Sequence, residues 1–137
     1  MLAMRRIDLY CNDMNPKAVA LFEGEPNKRD TIVELLHRYG IEHGRIHTAD
    51  NWTTAEDLVS RARQLDINLV LLDNNLDPYK HSAHRTEQLL KKVQRLQPLH
   101  KIVVLGIAER PISDRPLEGL RNIGPNFLNI PAAITSS

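Results

Sequence analysis

Apolar runs alternate with amphipathic segments along this chain from Lys17 onward, the pattern of a parallel sheet covered by helices on both faces. The run Ala18-Val19-Ala20-Leu21-Phe22 is short, unbroken and rich in branched or aromatic side chains, which suits a strand buried on both faces. It ends at Glu23-Gly24-Glu25-Pro26. Pro26 suits a helix start because its missing N–H would have no partner there. Ile32, Leu35, Leu36 and Tyr39 then share one helical stripe, with Gly40 as the stop.

A second strand is expected from Arg45 to Ala49, and Thr53 with Glu56 has the spacing of a capping box for the next helix. Leu58, Val59, Ala62 and Leu65 make its inner face. Trp52, just before this helix, is either an exposed docking aromatic or a lid on the core. The nearly all-aliphatic run from Ile67 to Leu72 reads as the third strand and delivers Asp73 at its carboxyl end. A third helix from about Ala83 to Leu96 buries Leu89, Leu90, Val93 and Leu96, and turns His84, Arg85, Lys91, Lys92 and Arg95 outward. Lys101 to Leu105 is a fourth strand. Leu117, Leu120 and Ile123 predict a short fourth helix ended by Gly124, and Phe127 to Ile130 a short fifth strand before Pro131. Residues 1–16 stand outside the alternation. Ile7, Leu9 and Cys11 alternate with Asp8 and Tyr10, so this piece is an N-terminal arm or an extra strand, and residues 17–137 form the main domain.

At 137 residues the chain has the size of one domain with one hydrophobic core. Its composition, 42% hydrophobic and 26% charged, is that of a globular protein, and no apolar run approaches the ~20 residues that cross a bilayer. The N-terminus lacks the apolar stretch of a signal peptide. The single cysteine, Cys11, excludes an internal disulfide and agrees with a reducing cytoplasm. A net charge of +1 gives little attraction for phosphate backbones, so direct binding of nucleic acid is not expected.

In an open parallel sheet, ligands and reactive groups gather at the carboxyl ends of the strands. There the chain places Glu23 and Glu25 after the first strand, Asp73 after the third, Gly106 after the fourth and Ile130-Pro131 after the fifth. Two carboxylates brought together at adjacent strand ends are costly unless a cation neutralises them or one holds a proton. A hard divalent ion such as Mg²⁺ is one remedy, and beside it the Asp73 carboxylate could attack a phosphorus centre to form an aspartyl phosphate.

Four pieces in order, Phe22 to Arg29, Asn68 to Leu76, Ile102 to Ala108 and Gly124 to Pro131, resemble the backbone of response-regulator receiver domains over roughly Lys17 to Pro131. The resemblance implies a flavodoxin-like (CheY-like) α/β fold: an open parallel five-stranded sheet with helices on both faces, its last helix missing or truncated. It makes Asp73 the phospho-acceptor position and Asn75 a backbone-carbonyl ligand for a metal. Glu23 stands at the first of the family's two acidic positions and Gly24 at the second, the more direct metal ligand, with Glu25 as the candidate to reach in and substitute for it. Where the family carries a Thr or Ser hydroxyl at the end of the fourth strand this chain has Gly106, and where it carries a Lys before the proline this chain has Ile130. Loss of one such contact to a developing phosphoryl charge costs roughly 2.7–4 kcal/mol of transition-state stabilisation.

The chain is thus similar to atypical, pseudo-receiver members, and Asn51-Trp52 with Gly106 to Pro111 is also similar to the receiver-like N-terminal domains of bacterial flagellar transcription activators. The expected function is a cytoplasmic, non-catalytic regulatory module of signal transduction or transcription control. It would act through a protein partner, an output domain or a homodimer, with no cofactor or at most weakly held Mg²⁺. Two alternatives stay open: a working phospho-receiver that uses Asp73 and Mg²⁺, with Glu23, Glu25, Asp73 and Asn75 as metal ligands, and a flavodoxin-like domain that binds a small ligand.

Overall fold

The computed structural model describes residues 16–73, 76, 82–107 and 120–122. Five strands form one sheet: β1 (Ala18–Phe22), β2 (Ile46–Ala49), β3 (Ile67–Leu72), β4 (Val103–Gly106) and β5 (Leu120–Asn122). Their order is β2-β1-β3-β4-β5, and every neighbouring pair is parallel. Three α-helices accompany them among the described residues: α1 (Pro26–Arg38), α2 (Trp52–Ser60) and α3 (Ser82–Leu96).

The two faces of the sheet bury different sets of side chains, as the period-two alternation of a strand requires. Val19, Leu21, Leu69, Leu71 and Leu105 point to the face where Ile32, Leu35 and Leu36 of α1 pack. Ala18, Ala20, Phe22, Val70, Leu72 and Val104 point to the other, with Ala55, Leu58 and Val59 of α2 and Leu89, Leu90 and Val93 of α3. Strands covered on both sides are continuously apolar, and every residue of β1 is buried. The extents of β1 and β3 match the sequence reading residue for residue.

Helix ends follow local chemistry. Gly40, at φ +96, supplies the left-handed residue that stops α1. Helix α2 begins two residues earlier than the capping-box reading of Thr53 and Glu56 implies. Asn51 is its cap, its side chain accepting the Thr54 N–H at 2.8 Å. The Glu56 carboxylate instead takes the Arg85 guanidinium at 3.0 Å and ties α2 to α3, so Arg85 is half-buried rather than turned to solvent. Trp52 is a lid on the core, 1% exposed in the cluster that holds Phe22 and Leu58.

One element departs from the sequence reading. Leu120 lies on a strand, not on a helix with Leu117 and Ile123, and β5 pairs with β4 through Val104↔Leu120, Leu105↔Arg121 and Gly106↔Asn122. Three apolar residues at a spacing of three fit a helical stripe, but the edge of β4 offers backbone partners, and tertiary context outweighs so short a pattern. Residues 1–15, with Cys11, lie outside the described residues, as do Asn75, the strand expected over 127–130, Ile130 and whatever follows it.

Candidate functional site

The strand order reverses between β1 and β3, and in open α/β sheets that point opens a crevice beyond the strand ends. The ladder runs one residue past three strands there. The Glu23 N–H donates to the Ala49 carbonyl at 3.0 Å, the Asp73 N–H to Phe22 at 2.9 Å and the Ile107 N–H to Leu72 at 2.9 Å. Glu23, Asp73 and Ile107 are therefore fixed by main-chain bonds at neighbouring strand ends, before any side-chain contact is made. Both carboxylates are buried, Glu23 at 2% and Asp73 at 6% exposure.

Two such carboxylates need a neutralising partner, and the structure places the ammonium of Lys28 beside both. Lys28 Nζ donates to Asp73 Oδ2 at 2.7 Å and to the Ile107 carbonyl at 3.2 Å, and lies 3.3 Å from Glu23 Oε2. Lys28 is the third residue of α1, so the turn Glu23-Gly24-Glu25 and the helix start at Pro26 together aim its stem back across the strand ends. The turn is tied by the Glu25 N–H, which donates to Glu23 Oε1 at 3.2 Å, and by Arg29 Nη1, which donates to the Glu23 carbonyl at 3.2 Å.

The electrostatics follow from this packing. Burial pushes the Glu23 carboxyl up from 4.5 to about 7, helped by its hydrogen bond with Asp73 and by that group's charge, against the opposing pull of the Glu25 N–H and Lys28. For Lys28, burial disfavours the charge, yet hydrogen bonding and Coulomb attraction from Asp73 and Glu23 outweigh it and raise its pKa. The cluster thus joins a lysine held more firmly in its charged form to a glutamic acid that ionises only near neutrality, with Asp73 as their shared partner.

Of the residues expected here, Glu23 and Asp73 do come together. Glu25 is exposed at the head of α1. Gly24 is half-buried and brings no carboxylate, and Gly106, buried as the last residue of β4, brings no hydroxyl. Asn75 and Ile130 lie outside the described residues. Among the described residues no group of three or more His, Cys, Asp or Glu side chains could hold a metal ion, and no helix is long and apolar enough to cross a membrane. Lys28 was not singled out by sequence reasoning. One signal was available: a lysine in the first turn, which holds no acid, faces the positive end of the helix dipole.

No protein-family model and no curated protein matches the sequence. Solved structures are similar in fold. A response regulator receiver domain protein from Bacillus halodurans superposes with a TM-score of 0.58 at 18% identity, over 88% of this chain and 96% of that one. The receiver domain of the histidine kinase CKI1 from Arabidopsis thaliana, solved with Mg²⁺ and BeF₃⁻, gives 0.56 at 14% identity over 88% and 91%. A mutant form of that domain gives 0.55 at 12% identity over 93% and 97%. The fold of this chain is therefore the flavodoxin-like receiver fold.

Proposed function

We propose that this domain is a receiver-type regulatory module that signals through protein contacts and does not pass a phosphoryl group through Asp73. One observation carries the reading: Asp73 Oδ2, 2.7 Å from the Lys28 ammonium in a side chain only 8% exposed, is already engaged as an ion-pair acceptor. An ammonium this close draws charge from the carboxylate and makes it a weaker nucleophile. Gly106 adds to the case, because no hydroxyl at the end of β4 is present to follow a phosphoryl group. The module would be cytoplasmic and non-catalytic, and its partner a protein, either an output domain or a second copy of the chain. Purified protein incubated with acetyl phosphate and Mg²⁺ should show no added mass. An adduct of about 80 Da that disappears in Asp73→Asn would overturn the reading.

The same contact favours one second reading. A lysine that touches Asp73 directly is where a phosphoryl-pairing cation needs to be, so Lys28 could serve a working acceptor. That reading requires the adduct to form and to be lost in Lys28→Met.

A further inference from the structure

We propose that Lys28 is a tethered counter-ion that occupies the strand-end carboxylate cluster in place of a divalent metal, so that this receiver fold is assembled without Mg²⁺ and closed to it. The inference deepens the non-phosphorylated reading and rests on it in one respect, that Asp73 is not required to present a metal-activated carboxylate.

Three features of the cluster carry it. An ammonium has three protons to donate and no acceptor site. That of Lys28 donates to Asp73 Oδ2 at 2.7 Å and to the Ile107 carbonyl at 3.2 Å, and lies 3.3 Å from Glu23 Oε2 as an ion pair. Those oxygens come from the ends of β1, β3 and β4, the strands that frame the crevice. The ammonium therefore meets both Glu23 and Asp73, the two carboxylates at the cluster that a metal would need.

The donor set also leaves a hard dication no site apart from the one Lys28 holds, since Mg²⁺ is bound through one or two carboxylates and keeps several waters. Gly24 brings no acid, Glu25 is exposed, and the described residues offer two carboxylates at the cluster, both facing the ammonium. Finally, Lys28 is itself partly buried, its side chain 16% exposed, so a metal beside it would face an unscreened like charge. A metal could enter only if Lys28 left.

Removing the ammonium should then expose a latent cation site. Mn²⁺ is the probe, titrated against the full chain and followed by electron paramagnetic resonance of the free ion, with circular dichroism to verify folding. Wild-type protein should show no saturable binding at this site. Lys28→Met should bind Mn²⁺ at least tenfold more tightly, and Lys28→Met with Asp73→Asn should lose that gain. If Lys28→Met does not fold, Lys28→Met with Glu23→Gln, which leaves a single buried carboxylate, replaces it and should bind more tightly than Glu23→Gln alone. Wild-type binding as tight as that of the variant overturns the proposal, and so does a folded lysine variant that gains nothing. No phosphoryl donor enters this experiment, so its failure is distinct from the appearance of a phosphoryl adduct.

Discussion

Replacing Glu23 by glutamine should abolish a loss of stability that the wild-type domain undergoes as pH rises through about 7. The Glu23 carboxyl, 2% exposed, is pushed from 4.5 to about 7 by burial and by Asp73. A group that holds its proton more tightly in the folded than in the unfolded chain contributes fully below its unfolded pKa, and the contribution is lost as pH rises through its folded pKa. Each tenfold change in proton affinity is worth about 1.4 kcal/mol, so the full swing here is about 3 kcal/mol. His47 acts in the opposite sense. Its pKa is lowered by burial and by the charge of Arg61, so its neutral form favours the fold as pH rises. Glu23→Gln leaves His47 in place, and the difference between the two proteins isolates the carboxyl.

Urea unfolding can be followed through Trp52, the only tryptophan of the chain and fully buried. The stability of wild type minus that of Glu23→Gln should fall by about 3 kcal/mol between roughly pH 5 and 8, equivalent to a difference in Tm of roughly 10 °C for a domain of this size. Parallel pH curves would refute the reasoning, as would a wild type that gains on the variant with rising pH.

Two further predictions concern the same site and the helix beside it. Asp73→Asn removes the charge that helps raise Glu23, so the loss of stability should be complete at lower pH and be smaller, read by the same urea titrations. Asn51→Ala removes the side-chain acceptor that caps α2 at Thr54, 2.8 Å away, and should cost about 1 kcal/mol in the urea midpoint at any pH.

How much of this was legible in the sequence depended on the range of the contacts involved. β1 and β3 were readable to the residue because strands buried on both faces are continuously apolar and end where the first acid appears. β5 was not, because Leu120-Arg121-Asn122 has no strong preference of its own and becomes a strand by pairing with β4. The capping of α2 was misread for a related reason. Thr53 and Glu56 satisfy a spacing rule, but Asn51 satisfies the Thr54 N–H and Glu56 is drawn away by Arg85.

At the site, the pairing of Glu23 with Asp73 followed from topology alone, and so did the need for a cation or a proton. The cation itself did not. Lys28 reaches Asp73 across 45 positions of chain and Ile107 across 79, and no local pattern encodes those contacts. What the sequence did contain was a local inconsistency. A first helical turn without an acid but with Lys28 and Arg29 runs against the helix dipole, and conflicts of this kind concentrate where function or another contact outweighs local preference.

The position of Lys28 and the raised pKa of Glu23 are linked by charge. Two buried carboxylates facing one ammonium leave the cluster one positive charge short of neutrality, and at such burial the deficit is expensive. The proton that makes it up goes to the carboxyl held less strongly by the ammonium. Asp73 has the 2.7 Å contact with Lys28, whereas Glu23 has the 3.3 Å contact without hydrogen-bond alignment and the more deeply buried side chain, 3% against 8% exposed. Glu23, pushed up to about 7 by burial first and by Asp73 after it, is the carboxyl that retains the proton. A dication would have balanced both carboxylates at once and left no reason for either to be protonated. This fold instead meets the cost of two converging acids with the two remedies available inside a single chain, a lysine delivered by the first turn of α1 and a proton retained on Glu23.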